Sequence, residues 1–585
     1  MAVNNNLHNY VETVVRECDM FDSYENSRLI HYKNIPAAFP SETYTLEECY
    51  EKGKGRMPYC MQRGEDGKLY VTVTDPTHAL IIGATGSGKT QSFSLPVVEM
   101  LLRSGDRPSL VISDPKEEAY TATAAKLAAR GYKIKKLDCC DYEHSDRFNP
   151  LTPIYRYYQA YVHVTDEVEV VEVDGVKYNS FKGKIYTSQE RLDRAIKAER
   201  DSLLMLAEAK IDEIAGILCN TPDGKHDEWS EGGKSVFKGI LYGMLEDSIP
   251  NDRGLDLVTE DTYSFNTLVN IFDSFGGDKS NYDKGYFSNR DKLRSKAYSL
   301  AEKYILIPAE NTRSGYVSTL ATYISKIRDM AIRQVTAGNT IDFTDLDDGK
   351  DPVAIFIVFK DETDSYDYFV SLFLTRLYTA LIEMVRANGN RPRRVPFYFL
   401  LDEFGNLPAF PNFDKVTSLG RGRNIWFWVI LQSYSQLHEV YKSKANTIKD
   451  NLNMHIYLGT NDLETKKSFS EECGMHTIAS PVAVLGGSGA TLTQHVKETI
   501  PLVPVSRLSR LEPGECIITR MNADVVWSRF ERHYTCPEFR EELPPYVHDP
   551  AFEAGDPKFD YDIGEMLARR QEEDFTPRRR FDFDF

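Results

Sequence analysis

Residues 78–90 read HALIIGATGSGKT, and this stretch decides the fold class. A short apolar run leads into the pattern G-x-x-x-x-G-K-[ST], and a helical stretch follows. Glycines at this spacing let backbone N–H groups curl around phosphates, while the lysine reaches the β- and γ-phosphate oxygens and the final threonine offers its hydroxyl to Mg²⁺. The alternative is a glycine-rich turn with an unrelated lysine. The predicted phosphate-binding residues are Gly83, Ala84, Thr85, Gly86, Ser87, Gly88, Lys89 and Thr90.

Short apolar runs on both sides of this motif predict the rest of a sheet. Such runs, without alternation, are typical of strands that are buried on both faces. Alternation of strands with helices predicts an α/β fold with a mostly parallel sheet and crossover helices. The predicted strands are 79–82, 109–112, 132–137, 353–359, 395–401 and 425–431, and the predicted helices among them are 91–103, 117–130 and 366–387.

The sequence pattern changes between the predicted strands at 132–137 and 353–359. Residues 187–335 are mostly helical in pattern, with helices expected at 188–218, 235–246, 289–301 and 315–337, which predicts an all-α domain inserted into the α/β domain. A hairpin is expected at 165–186, around Asp174-Gly175. The predicted organisation is an N-terminal extension at 1–75, a nucleotide-binding domain at 76–150 and 338–535, the inserted domain at 151–337, and an acidic tail at 536–585 that ends in RRRFDFDF.

Two acids follow the apolar run Phe397–Leu401. Asp402 is predicted to hold the Mg²⁺ shell, which is the Walker B role, and Glu403 to orient or deprotonate the attacking water. Strands often end in acids, so the pair is informative only beside the phosphate motif. Two adjacent acids favour nucleotide hydrolysis by water over phosphate transfer by a kinase.

Two further candidates flank the run at 425–431. Gln432 directly follows it and is predicted to sense the γ-phosphate, the alternative being a surface glutamine. Arg421 and Arg423 precede it on a glycine-flanked loop, where arginines are usually solvated, although a ring ATPase can use such a loop to contact its neighbour's γ-phosphate.

Two other segments are weaker candidates. Asp114-Pro115-Lys116 either touches the nucleotide site or, as we favour, caps a turn. Gly486–Gly489 is expected to be a flexible loop, because a second phosphate site would need a lysine.

Charge and composition exclude several classes of protein. The chain has 585 residues, with 70 Lys+Arg against 88 Asp+Glu, so its net charge is −18. This negative net charge argues against a protein that coats nucleic acid through bulk positive charge. It does not exclude a local basic channel. Nine cysteines without a C-x-x-C pair predict reduced thiols and no zinc ribbon. Residues 1–28 contain no apolar stretch, so no signal peptide is expected there, and the longest apolar runs are about seven residues, so no transmembrane segment is expected.

Together the motifs resemble a known family. HALIIGATGSGKT, VISDPKEEAY, FNPL at 148–151, FLLDEFGNLP and RGRNIWFWVILQSYSQLHEVY are similar to blocks of type IV secretion system coupling proteins, the conjugative DNA-transfer ATPases. EWSEGGKSVFKGILYGML at 228–245 is similar to the start of their helical domain. The resemblance covers about residues 75–535. It implies a RecA-like nucleotide-binding domain with an inserted all-α domain, and ATP and Mg²⁺ as cofactors.

The resemblance also implies a function. Family members form homohexameric rings that use ATP to pass single-stranded DNA, or relaxase and effector proteins, to a type IV secretion channel. By position, Lys89 and Thr90 bind phosphate and Mg²⁺, Asp402 and Glu403 form Walker B, and Gln432 is the sensor. Arg421 is the best match for the arginine that acts in trans, and Arg423 is the second choice.

One departure and two alternatives accompany this expectation. Family members commonly carry an N-terminal membrane anchor, and none is expected here. Either a partner protein holds the cytoplasmic chain at the inner face of the membrane, which we favour, or the chain works from the cytosol. The first alternative is a cytosolic DNA pump of the chromosome-segregation type. The second is a substrate-receptor module whose nucleotide controls assembly only.

Overall fold

The structure is a computed structural model that describes residues 27–34, 40–50, 53, 55–173, 176–219, 227–249, 258–275, 282–288, 290–347, 351–359, 366–407, 409–485 and 491–548. The described residues form two compact units. The first contains those of Met1–Leu137 and Asp342–His548, and the second contains those of Asp138–Ile341. The second unit is therefore inserted into the first. It begins at Asp138 and ends at Ile341, whereas the inserted domain was expected at 151–337.

The described strands are numbered in chain order. They are β1 Leu29–His31, β2 Glu42–Thr45, β3 Met57–Arg63, β4 Leu69–Thr74, β5 Ala79–Gly83, β6 Ser109–Ser113, β7 Lys133–Asp138, β8 Val168–Val173, β9 Val176–Phe181, β10 Lys184–Tyr186, β11 Val353–Val358, β12 Phe397–Leu401, β13 Ile425–Leu431, β14 Met454–Gly459, β15 Met475–Leu485, β16 Thr491–Pro501, β17 Glu515–Arg520 and β18 Val525–Arg529.

The helices are numbered in the same way. They are α1 Leu95–Leu102, α2 Glu118–Ala129, α3 Thr152–Val162, α4 Gln189–Leu218, α5 Glu228–Glu246, α6 Phe265–Asp273, α7 Tyr282–Ser288, α8 Lys296–Ala301, α9 Glu310–Ser325, α10 Met330–Val335, α11 Asp367–Ala387, α12 Phe413–Gly420, α13 Tyr434–Tyr441, α14 Ala445–Asn451, α15 Leu463–Glu472 and α16 Val505–Leu508.

A ten-stranded sheet forms the centre of the first unit, in the order β1-β18-β17-β14-β5-β13-β12-β6-β11-β7. The strands from β14 to β11 are all parallel to their neighbours, whereas β17 pairs antiparallel with β14 and with β18. Every residue of β5, β6, β11, β12 and β13 is buried. The continuous apolar runs predicted this arrangement, and the predicted α/β class with a mostly parallel sheet is confirmed.

The N-terminal residues are more closely integrated than the sequence analysis expected. Strand β1 pairs in parallel with β18, and β2, β4 and β3 form a three-stranded antiparallel sheet. Leu69, Val71 and Val73 alternate along β4 and belong to the same hydrophobic core as β5 and β13. The described part of residues 1–75 therefore belongs to the first unit. The alternation of LYVTVT indicated this strand, but the charged, glycine-containing turn before it obscured the signal.

The C-terminal prediction also needs a correction. Residues 536–548, which the sequence analysis assigned to the acidic tail, pack on the first unit, where Cys536 and Phe539 are fully buried. Glu541 accepts hydrogen bonds from Arg103 Nη2 at 2.6 Å and from Arg130 Nη2 at 2.6 Å. Two apolar anchors and a paired acid therefore hold this segment against α1 and α2. The rest of the predicted tail, with RRRFDFDF, lies outside the described residues.

The second unit is mainly helical, with a small sheet. The hairpin expected at 165–186 is a three-stranded antiparallel sheet of β8, β9 and β10, and its predicted turn Asp174-Gly175 lies outside the described residues. Helix α5 begins earlier than expected because Asp227 and Ser230 form a reciprocal capping box at its first turn. The helix expected at 315–337 is two helices, α9 and α10, and the Asp329 side chain caps the second.

One described helix, α11, is long and apolar enough to cross a membrane by composition alone. It passes this test because only a few charges interrupt its 21 residues. Most of its apolar stretch is buried within the protein, which is also the behaviour of an ordinary core helix.

Candidate nucleotide-binding site

The phosphate motif forms the loop between β5 and the helix that follows it. Ala84 N donates to Gly459 O at 2.8 Å, and Ser87 N donates to Ala84 O at 3.0 Å, which curls the loop. Gly86 and Gly88 have φ of +84° and +85°, a conformation that side-chain-bearing residues rarely adopt. The first helical turn, Thr90–Ser94, is a π-helix, and α1 continues from it. Both glycines are therefore required by the backbone itself.

Parallel strands bring the predicted acids to this loop. Strand β12 ends at Leu401, and because parallel strands place their carboxyl ends at one edge of a sheet, Asp402 and Glu403 lie at the same edge as the loop after β5. Lys89 Nζ forms an ion pair with Glu403 Oε1 and lies 3.5 Å from Asp402 Oδ1. Lys89, Asp402 and Glu403 were predicted from separate parts of the sequence, and the structure brings all three together.

Glu403 is held in an uncommon conformation. Its φ is +49°, in the left-handed region, where a non-glycine residue is strained by about 1–3 kcal/mol. Its backbone N donates to Asp402 Oδ1 at 2.9 Å, and Gln432 Nε2 donates to its Oε2 at 3.0 Å. Gln432 was predicted as a γ-phosphate sensor, and in the structure its side chain contacts the predicted catalytic acid.

Two supports of Gln432 were missed by the sequence analysis. Gln432 N donates to Gln436 Oε1 at 2.8 Å, and Thr460 Oγ1 donates to Gln432 O at 2.8 Å. Gln436 lies in the predicted SYSQL block, but nothing in that block reveals which side chain faces Gln432. Thr460 is 28 residues away in sequence and follows β14, a strand that was not predicted.

Burial is the main influence on the pKa values of Asp402 and Asp114, which lie at this edge of the sheet. It raises the pKa of Asp402, and the charge of Lys89 opposes that rise. It also raises the pKa of Asp114, at the end of β6, to about 6, although backbone N–H groups that donate to its carboxylate lower it. Tyr120 N donates to Asp114 Oδ2 at 2.8 Å, so Asp114 caps the start of α2, as the sequence analysis favoured. Lys116 is exposed.

The residues present fit a magnesium nucleotide. Ser87 Oγ is buried and has no hydrogen-bond partner among the described residues, so it leaves a polar group in the loop ready for a ligand. The Thr90 side chain is half-buried at the start of the helix and makes no hydrogen bond with a described residue. Lys89 lies in the same loop and supplies a positive charge for phosphate. A threonine hydroxyl and an aspartate are oxygen ligands of the kind that Mg²⁺ binds.

The two candidate arginines lie at the opposite edge of the sheet. Arg421–Arg423 is a 3-10 turn that precedes β13, whereas Gln432 follows it. A strand of seven residues separates these ends by about 20 Å, at about 3.3 Å per residue, so neither arginine reaches the nucleotide site of its own chain. Arg423 Nη1 donates to Leu419 O at 2.9 Å. The Arg421 side chain is exposed and makes no hydrogen bond or ion pair with a described residue, while its backbone O accepts from Asn424 N at 3.3 Å.

The second glycine-rich candidate, Gly486–Gly489, joins β15 to β16 and lies outside the described residues. Within the described ranges, no group of three or more His, Cys, Asp or Glu could hold a metal ion. The loop after β5 is therefore where Lys89, Asp402, Glu403 and Gln432 meet, whereas Arg421 and Arg423 lie away from it.

The model of the type IV secretory system conjugative DNA transfer family matches residues 37–495. The chain belongs to this family. The match covers both the nucleotide-binding site and the described helical unit, so the family recognised from the motifs is confirmed.

Solved structures of a coupling protein share the fold. The plasmid coupling protein TrwB in complex with the non-hydrolysable ATP analogue ADPNP has a TM-score of 0.51 at 15% identity, over 90% of this chain and 97% of that chain. A trigonal form of the same protein, TrwBdeltaN70 in complex with sulphate, has a TM-score of 0.50 at 14% identity, over 92% of this chain and all of that chain (100%). At such identity the likeness concerns the fold, and the predicted RecA-like α/β fold with a helical domain is confirmed.

A curated relative matches a smaller region. An uncharacterized protein of Bacillus anthracis is 38% identical over 123 residues, which are 20% of this chain. The chain spans 45% of the length of that relative.

Proposed function

We propose that this member of the conjugative DNA transfer family is an ATP-hydrolysing coupling protein. In this proposal it recruits single-stranded DNA, relaxase-linked DNA or effector proteins and passes them to a type IV secretion channel. The observation that carries the proposal is the contact of Lys89, Glu403 and Gln432 beside the phosphate loop. It unites a phosphate-binding cation, an acid that can act on water and an amide that orients the acid.

The first step is nucleotide binding. The N–H groups of the loop and the Lys89 ammonium bind the phosphates of ATP, and the adenine nucleotide bound to TrwB supports this choice of ligand. Thr90 and Asp402 hold Mg²⁺, which, when bound, neutralises negative charge that develops on the phosphates. Phosphate oxygens compete with Glu403 for Lys89, so binding of nucleotide weakens the ion pair between these two side chains.

The second step is the attack of water. Of the two carboxylates, Glu403 is the one that contacts Gln432, so it is the group that orients or deprotonates the water, while Asp402 would help to hold Mg²⁺. Gln432 holds one oxygen of Glu403 at 3.0 Å and leaves the other for the proton of the water. The γ-phosphate is then released as inorganic phosphate.

A neighbouring copy completes the site. Arg421 is too far from the nucleotide of its own chain, so it acts on the γ-phosphate bound by the next copy in a homohexameric ring, and the lack of a partner for its side chain in the described residues favours it over Arg423. In this arrangement the edge of one sheet that carries Arg421 faces the nucleotide edge of the next copy. Such an interface is head-to-tail, and head-to-tail interfaces form a ring when the rotation between copies closes on itself. In this proposal the ring encloses a locally basic channel for DNA, which is compatible with the net charge of −18 of each chain because only the channel needs positive charge.

The proposed location is the cytoplasm, at the inner face of the membrane. The secretion channel or a separate membrane-anchor protein would hold the ring there, and the cargo would reach it from the cytoplasm. Which cargo is bound depends on surfaces of the helical unit.

A transfer assay tests the proposal. Cells whose sole copy carries Lys89→Ala are expected to transfer DNA at least 100-fold less often than the wild type, because the loop loses its phosphate-binding cation. Lys68→Ala is the matched control, since Lys68 is an exposed lysine in the same unit and lies outside the nucleotide site. Undiminished transfer from the Lys89→Ala strain, with intact assembly of the chain, would contradict the ATP-driven mechanism and favour the receptor alternative.

A further inference from the structure

A short segment that begins at the last residue of β14, residues 459–465, contacts two parts of the nucleotide site at once. Gly459 O accepts from Ala84 N of the phosphate loop at 2.8 Å. The next residue, Thr460, donates from Oγ1 to Gln432 O at 2.8 Å. Two adjacent residues therefore join the phosphate loop to the end of β13. We call residues 459–465 the bridge segment.

The backbone of the bridge segment is specialised for this position. The pairing of β14 with β5 shifts register between Tyr457 and Gly459, which is a bulge, and Gly459 has φ of +137°. Bulges re-aim the residues that follow them. Here the bulge turns Gly459 O towards Ala84 and the Thr460 side chain towards Gln432.

The hydroxyl of Thr460 both donates and accepts a hydrogen bond. It carries one proton, which it donates to Gln432 O, and it accepts from Asp462 N at 3.2 Å. Thr460 is only 9% exposed, so water cannot readily replace these bonds. Further along the segment, Tyr434 N donates to Thr465 Oγ1 at 3.0 Å, which attaches the residues after β13 a second time.

With the side-chain contacts of the site, the bridge segment closes a ring of interactions. Lys89 pairs with Glu403, Glu403 accepts from Gln432, Gln432 accepts from Thr460, and Gly459 accepts from Ala84 of the loop that carries Lys89. A displacement of the phosphate loop therefore acts on Gln432 through the bridge segment as well as through Glu403.

We propose that Thr460 is a positioning residue that couples the phosphate loop to Gln432, and so sets the orientation of Glu403 when nucleotide binds. This inference rests on the proposed ATPase function. It assigns a role to a side chain that contacts neither Lys89 nor the acids directly.

Turnover kinetics give the first test. Thr460→Val keeps the side-chain volume but removes the hydroxyl, so kcat for ATP is expected to fall at least fivefold while the Kd for a fluorescent ATP analogue stays within twofold. Thr460→Ser restores the hydroxyl and should keep at least half of the wild-type kcat. Thr123→Val is the matched control, because Thr123 is fully buried and its hydroxyl donates to Ala119 O of its own helix at 2.6 Å. A wild-type kcat in Thr460→Val, or equal losses in the Val and Ser variants, would overturn the proposal.

Hydrogen exchange gives a test that is independent of hydrolysis. Addition of a non-hydrolysable ATP analogue should protect both the phosphate loop and residues 430–437 in the wild type. In Thr460→Val the loop should remain protected while residues 430–437 lose the added protection. Equal protection of 430–437 in both chains contradicts the coupling. A wild type that binds the analogue and shows the expected protection, yet hydrolyses no ATP, contradicts the ATPase proposal alone.

Discussion

The side-chain amide of Gln432 donates to Glu403 Oε2 at 3.0 Å, while the other oxygen of the same carboxylate pairs with Lys89. Glu403 therefore has one oxygen held by a neutral donor and one held by the lysine of the phosphate loop. Phosphate competes for the lysine and leaves the amide contact in place. The contact with Gln432 thus defines where Glu403 points once nucleotide is bound.

Substitution of Gln432 tests this contact. Gln432→Ala removes the donor, so kcat for ATP should fall about tenfold, which corresponds to about 1.4 kcal/mol of transition-state stabilisation. Gln432→Glu should lose more, because a second carboxylate at this distance repels Glu403. The measurement is steady-state ATP hydrolysis with nucleotide affinity as the internal control. A wild-type kcat in Gln432→Glu would show that the contact has no catalytic role.

Arg421 is expected to act between copies. Arg421→Ala should lower turnover at least 100-fold and leave nucleotide binding within about twofold, because the arginine is about 20 Å from its own site. A mixture of inactive Arg421→Ala and inactive Lys89→Ala chains should recover part of the activity, since some mixed interfaces combine an intact Lys89 with an intact Arg421. The rate of ATP hydrolysis is measured against mixing ratio.

The control for this experiment is Arg423→Ala, whose guanidinium is already bound to Leu419 O. It should retain most of the wild-type rate. If the mixture stays inactive while Arg423→Ala is as impaired as Arg421→Ala, the assignment of Arg421 is wrong.

Asp114 makes stability depend on pH. Burial raises its pKa from 3.8 to about 6, so between these values the folded chain keeps a proton that the unfolded chain has released. The unfolded state binds fewer protons in this window, and the contribution of Asp114 to the free energy of unfolding therefore falls as pH rises through it, by about 3 kcal/mol in all.

Asp114→Asn removes this titration and keeps an oxygen that can accept from Tyr120 N. The Tm of the variant minus the Tm of the wild type should therefore be more positive at pH 7 than at pH 4.5, as measured by calorimetry. Asp75→Asn, at an exposed position, should show the same difference in Tm at both pH values. A pH-independent difference for Asp114→Asn would show that its carboxyl titrates normally.

Local sequence patterns predicted the central parallel strands and the phosphate loop, because each of these elements is specified by a few consecutive residues. The phosphate loop needs its glycines at fixed spacing, and the apolar runs at 353–359 and 425–431 could be accommodated only as buried strands. The acids after β12 followed from the same logic, since parallel strands end at a common edge.

The missed elements lacked such local signals. Strand β14, MHIYLG, contains a histidine and a glycine, and its place beside β5 depends on pairing that no local pattern specifies. Thr460 acquires its role only because β14 and β13 both lie next to β5 in the sheet. Likewise, the segment after residue 535 is polar by composition. Its buried anchors are Cys536 and Phe539, and Arg103 and Arg130 bind its Glu541 from more than 400 residues away in sequence.

The most direct test of the central claim compares ATP hydrolysis by the wild type and by Glu403→Gln, with and without single-stranded DNA. Glu439→Gln, an exposed glutamate on α13, is the matched control. The account predicts slow hydrolysis by the wild type and by the control, faster hydrolysis by both with DNA, and at least a 100-fold loss in Glu403→Gln with nucleotide binding retained. Hydrolysis by Glu403→Gln at the wild-type rate, or a wild type that binds ATP but does not hydrolyse it even with DNA, would contradict the account.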